Sequence, residues 1–103
     1  MSAPTLQLYV EKQALVIGGL DGSVVYLTPG EYAVAAALVG SLGSVVTRQA
    51  LLSVLYPARE PAQSNTLQVL IYRLRKKLQA AGGAYTVAVA RSTGYTLRAR
   101  GAA

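Results

Sequence analysis

The stretch TLQVLIYRLRKKL, Thr66–Leu78, sets four cations within five residues directly behind a run of leucines and one isoleucine. On a helix of ~100° per residue, Leu67, Ile71, Leu74 and Leu78 fall in one narrow stripe, and Val69, Tyr72, Arg73 and Lys76 fall opposite it. Gln68 and Arg75 flank the stripe on one side; Thr66, Leu70 and Lys77 flank it on the other. The charges and the leucines are therefore sorted onto different sides of one helix. Ser64 and Asn65 are good N-caps, and Gly82 and Gly83 are good stops, so the helix is expected over about 64–81.

Before this helix, Arg48–Tyr56 predicts a shorter one, capped by Thr47, ended by Pro57 and striped by Leu51, Leu52 and Leu55. Upstream, Thr28 as cap, Pro29 in the first turn and Glu31 three residues after the cap form a capping-box pattern. They open an Ala-rich helix over about 29–42, with Gly43 as its stop. That helix is apolar almost all round and belongs in the core. The first 27 residues alternate polar and apolar side chains in three short strands, Thr5–Val10, Ala14–Ile17 and Ser23–Leu27, the last entered through the Asp21–Gly22 turn. After the third helix the alternation returns over about 85–99. Tyr85, Val87 and Val89 share one face, RSTG (Arg91–Gly94) makes a turn, and Tyr95 and Leu97 follow. The fold class expected is α+β: a winged helix-turn-helix with an N-terminal antiparallel sheet at about 5–27, three helices and a C-terminal β-hairpin wing, in one domain over 1–103.

Charge carries the functional signal. The net charge is +6, and it is unevenly spread. Met1–Glu60 holds three cations (Lys12, Arg48, Arg59) and all four acids, whereas Pro61–Ala103 holds seven cations and no acid. Such asymmetry points to a polyanion as partner. A basic helix face can also serve solubility alone. Two features argue against that here: no acid on the helix forms i,i+4 pairs, and the hairpin adds Arg91, Arg98 and Arg100. A cationic helix and a cationic wing make one bipartite surface, and the major groove admits one α-helix.

The motifs LTPGEY (Leu27–Tyr32), GSVVTRQALLSVLYP (Gly43–Pro57), NTLQVLIYRLRKKL (Asn65–Leu78) and STGYTL (Ser92–Leu97) resemble, in order and spacing, the OmpR/PhoB-type winged-helix DNA-binding domain. That domain is the effector half of many bacterial two-component response regulators. The likeness runs from about Leu6 to Leu97, and RLRKKL followed by TGY is its most specific pair. The resemblance implies a four-stranded N-terminal sheet, a third helix in the major groove of double-stranded DNA and a wing in the adjacent minor groove. It implies that Val69 and Arg73 face bases and that Thr66, Tyr56 and Tyr95 meet phosphates. Arg91 would be the minor-groove arginine, favoured where that groove is narrow. Lys76 and Lys77 would attract phosphate with little sequence information. Arg48, Asn65, Arg75 and Thr93 complete the candidate DNA-binding set, and the loop holding Arg59 and Glu60 would touch RNA polymerase.

The chain also departs from the family's usual pattern. An Arg commonly stands at Asn65, an Asp at Gln68, a His at Leu70 and a basic residue at Tyr72. The base preference therefore stays open; Gln68 suits adenine N6 and N7, and Tyr72 suits a thymine methyl or a phosphate. Leu70 and Tyr72 equally suit packing against the wing or a neighbouring protomer. Arg59 and Glu60 also read as a solvated loop pair.

Other function classes fare worse. The chain has no His and no Cys, one Asp and three scattered Glu, so no acid–base pair or nucleophile assembles and no cofactor or metal is expected. The longest apolar run, Ala33–Val39, is far shorter than the ~20 residues of a membrane span. A cytoplasmic protein is expected. The serious rival is a winged helix that docks RNA polymerase or another regulator. A receiver domain outside these residues is a further candidate partner. The domain is expected to be a monomer off DNA, and the family resemblance implies tandem protomers on direct repeats.

Overall fold

The computed structural model describes residues 5–18, 22–55, 64–90 and 93–99, with the side chains of 64–66 excepted. Tyr56, Pro57, Arg59, Glu60, Asp21, Arg91 and Arg100 lie outside the described residues, as do the side chains of Asn65 and Thr66.

The chain opens with β1 (Leu6–Tyr9), β2 (Ala14–Ile17) and β3 (Ser23–Tyr26), an antiparallel sheet in the order β1-β2-β3. Leu15 faces Leu8 on one side and Val25 on the other, which gives the sheet an apolar inner face. Three strands are seen among the described residues, not the four that the resemblance implies. The strand β4 (Val46–Thr47) lies elsewhere, paired to the C-terminal hairpin.

Helix α1 spans Pro29–Gly40. Its capping box is complete: the Glu31 backbone N–H donates to Thr28 Oγ1 at 3.3 Å, and the Thr28 N–H donates to Glu31 Oε1 at 2.9 Å. Such reciprocal bonds satisfy two of the donors that every helix start leaves open. Val34, Ala35 and Leu38 are buried. The helix ends at Gly40, two residues before 42, and Gly43 serves the following turn, where its N–H donates to Leu97 O at 2.9 Å. Helix α2 spans Arg48–Leu55, with Thr47 Oγ1 accepting from the Ala50 N–H at 3.0 Å.

Helix α3 spans Ser64–Ala80. Its C-terminus closes with two interlocked bonds, Gly83 N–H to Leu78 O at 3.0 Å and Gly82 N–H to Gln79 O at 3.2 Å. Gly82 and Gly83 have positive φ, 109° and 71° respectively, the left-handed turn that this closure requires. The stripe Leu67, Ile71, Leu74 and Leu78 is 0–3 % exposed and meets Leu15, Val25, Val34, Leu38, Leu51 and Leu97 in one core.

The wing is β5 (Tyr85–Ala90) and β6 (Gly94–Ala99), closed by the Thr93 N–H donating to Ala90 O at 3.0 Å. Tyr85, Val87 and Leu97 are buried, but Val89 is 63 % exposed. The inward face that begins at Tyr85 and Val87 does not extend to Val89, near the tip of the hairpin. The second sheet has the order β4-β6-β5. Gly94 stands opposite Thr47, so close that a Cβ would lie 2.0 Å from Val46 O.

Candidate nucleic-acid interface

Seating α3 on its leucine stripe turns Gln68, Val69, Tyr72, Arg73 and Lys76 outward, all exposed. Val69 lies one turn before Tyr72, and the Lys76 ammonium stands 5.8 Å from the centroid of the Tyr72 ring, a cation–π approach between residues four apart. The helix carries no acid, so this face offers donors and apolar surface, with no carboxylate.

The other two cations of the cluster are tied inward. Arg75 Nε donates to Val87 O at 3.2 Å and so links α3 to the wing strand β5. Lys77 Nζ donates to Glu31 Oε1 at 2.6 Å and to Tyr26 O at 2.9 Å, which links α3 to the α1 capping box and the end of β3. Lys77, expected to attract phosphate, is drawn into the fold as well. Its charge is spent on Glu31, 46 residues earlier and 1 % exposed. A buried carboxylate must be paired, and Lys77 is its counter-ion. Sequence reading assigns Glu31 to the helix cap and misses this second role, because a partner so distant leaves no spacing signal.

Burial pulls the Glu31 carboxyl pKa upward, but the hydrogen bond and charge of Lys77, together with the Thr28 bonds, outweigh it and leave the pKa below its ordinary value of 4.5. A carboxyl whose pKa is lowered on folding stabilises the fold above its unfolded pKa and loses that contribution as pH falls through the folded one. Unfolding of the wild type is therefore expected to become easier as pH drops below 4.5. Glu31→Gln keeps an oxygen for the Thr28 N–H but removes the charge. It should cost about 1–2 kcal/mol at neutral pH and flatten the acid side of the stability profile. Denaturant unfolding across pH reads both; a variant with the wild-type profile would dismiss the ion pair as a contributor.

Leu70 is partly buried against the core. Its Cδ1 lies where a Cβ on Gly30 would stand 3.2 Å away, so it packs on the start of α1 rather than on the wing. Tyr95 is half-buried, opposite Val89 on β5 and Val46 on β4. Arg48 opens α2, and its backbone N–H donates to Thr93 O at 3.1 Å, which joins the start of α2 to the wing turn. Arg98 is exposed on β6; it extends the basic surface beyond the candidate set. Among the described residues no group of His, Cys, Asp and Glu could hold a metal ion, and no helix is long and apolar enough to cross a membrane.

A three-helix core with α3 presented outward and a hairpin strapped to α2 is the winged helix-turn-helix. The family described as Transcriptional regulatory protein, C terminal, matches residues 22–97. The chain belongs to this family, the OmpR/PhoB-type DNA-binding domains. The transcriptional regulatory protein PhoP of Escherichia coli (strain K12) is 34 % identical over 100 residues, 97 % of this chain and 44 % of PhoP. The OmpR/PhoB-type domain thus spans less than half the length of the curated relatives it matches. The C-terminal domain of the nisin resistance regulator NsrR, a lantibiotic response regulator, superposes with a TM-score of 0.71 at 30 % identity, over 90 % of this chain and 91 % of that one. The RstA DNA-binding domain of Klebsiella pneumoniae, solved in complex with the RstA box, gives 0.71 at 26 % identity over 95 % of each chain.

Proposed function

We propose that this domain binds double-stranded DNA sequence-specifically as a bacterial transcriptional regulator, with α3 in the major groove and the β5–β6 hairpin reaching the neighbouring minor groove. One observation carries the reading: α3 buries its leucines and presents Gln68, Val69, Tyr72, Arg73 and Lys76 on one acid-free face. The RstA domain in complex with its box supports DNA as the partner. In this arrangement Arg73 reads a base, guanine O6 and N7 being the usual target of arginine, Val69 lies beside it, and Lys76 meets phosphate. Arg48, Thr93 and Tyr95 border the groove from α2 and the wing, and the family resemblance adds Tyr56, Asn65, Thr66 and Arg91 to the proposed contacts. The stretch holding Arg59 and Glu60 touches RNA polymerase, protomers bind direct repeats in tandem, and a receiver domain elsewhere in the full protein supplies the signal.

Selection of random duplexes by the purified domain tests this. An enriched motif, with half-sites ~10 base pairs apart, is the expected result; equal binding to every duplex would overturn sequence specificity. Three variants then sort the cations. Arg73→Ala should lose about 10- to 100-fold at the selected site and little on random DNA. Lys76→Ala should weaken both alike and lower the salt slope by about one. Lys77→Gln should lower thermal stability and leave the salt slope unchanged. A slope reduced by about one in Lys77→Gln would return that lysine to the phosphate set.

A second reading has an observation of its own. Val69 and Tyr72, 42 % and 59 % exposed, are apolar surface on the outer helix face, which also suits docking on RNA polymerase or another regulator. Binding there would be insensitive to salt.

A further inference from the structure

Val69 and Tyr72 are used by no part of the core, yet they occupy the middle of the α3 face between Gln68, Arg73 and Lys76. A helix that met only phosphates would gain nothing from Val69 or from the ring face of Tyr72. Phosphate oxygens reward donors and cations; Val69 offers neither, and the ring of Tyr72 offers nothing beyond its hydroxyl. Their neighbours narrow the occupant. With no acid on α3, the face cannot accept the cytosine N4 amino group through a carboxylate, the usual device for that base. The Lys76 ammonium lies over the face of the Tyr72 ring at 5.8 Å. One approach to the aromatic is thereby taken by a cation, and the ring remains 59 % exposed as a whole residue. Helical side chains lean toward the N-terminus, which inclines Tyr72 toward Val69, one turn earlier. The result is an apolar pair bounded by donors. Among the groups that base pairs display in the major groove, one is apolar: the C5-methyl of thymine.

We propose that Val69 and Tyr72 form a methyl-reading pair that selects thymine at positions next to the base bonded by Arg73. The inference rests on the proposed seat of α3 in the major groove and specifies what that groove must contain. It makes Tyr72, where the family commonly has a basic residue, a specificity-determining side chain.

Replacing thymine by deoxyuridine tests it, because the exchange keeps every hydrogen-bonding group and deletes only the methyl. Each thymine of the selected site is replaced singly and the affinity of the domain is measured. One or two positions should each weaken about three- to fourfold, the effect of exposing one methyl-sized apolar group. Val69→Ala and Tyr72→Ala should bind thymine and uracil alike at those positions, whereas Tyr72→Phe, which keeps the ring, should still discriminate. Both alanine variants change exposed side chains, and unaltered melting temperatures would establish that they fold. If the domain selects a motif but no position distinguishes thymine from uracil, this inference falls and DNA reading stands, with the apolar pair left for a protein partner. If the domain selects no DNA at all, both fall together.

Discussion

Raising the salt from about 50 to about 200 mM is expected to weaken the binding of this domain to duplex DNA roughly a hundred- to two hundredfold. Each phosphate neutralised by a protein cation releases condensed counterions, and the logarithm of affinity falls by ~0.9 per contact for each decade of salt. The exposed cations of α3 and the wing left for phosphate, with Arg73 on a base, are Lys76 and Arg98; the candidate contacts at Arg48 and Arg91 bring the total to about four phosphates. Lys77 is left out, since its ammonium is held by Glu31 and Tyr26 O. A titration at three or more salt concentrations gives the slope directly. A slope near zero would mean that the basic half of the chain does not meet a polyanion, and the outer face of α3 would pass to a protein partner.

Leu74→Ala should destabilise the domain by about 2–5 kcal/mol, a large share of the ~5–15 kcal/mol that holds a small domain together. Leu74 is 1 % exposed and lies in the middle of the buried stripe, with Leu67, Ile71 and Leu78 beside it in the core. Truncation removes the transfer energy of three carbons and leaves a cavity that close-packed neighbours fill only in part. The melting temperature should fall by about 10–30 °C. Arg73→Ala, one residue away on the exposed face, should shift stability by less than about 0.5 kcal/mol. Thermal melts of the two variants side by side test the sorting of α3 into a packing side and a reading side. A fall of only a few degrees in Leu74→Ala would refute the packing side.

That sorting is legible in the sequence because it depends on periodicity alone. The stripe of four, the Thr28–Glu31 box, the Thr47 cap and the Gly82–Gly83 stop are all local signals, and each reappears in the fold with its hydrogen bonds. What escapes reading depends on distant partners. Strand β4 has two residues, too few for an alternation to register, and its partner Gly94 lies far along the chain. Lys77 and Arg75 look like their neighbours Arg73 and Lys76 in sequence. They differ only because Glu31, Tyr26 O and Val87 O happen to face them, and a backbone carbonyl has no letter in a sequence. Leu70 falls beside the stripe on a helical wheel, which does not say what covers it; Gly30, which has no side chain, makes room for it on α1. On the reading face the residue types are plain, but which bases they choose is set by the groove they enter.

The contact of Gly94 with Val46 and Thr47 has a mechanical consequence. Strand β4 runs into α2 with no residue between them, the Arg48 N–H is bonded to the wing turn, and Gly43 is bonded to Leu97. Hairpin and helices therefore share one frame, like the fixed jaws of a caliper. A caliper measures separation as well as gripping what lies between its jaws. Duplex DNA turns by roughly 34–36° with each base pair, so one extra pair between the points touched by helix and hairpin would rotate one of them out of reach. On this view the wing contributes a ruler to recognition, and spacing within the site is read as strictly as its letters.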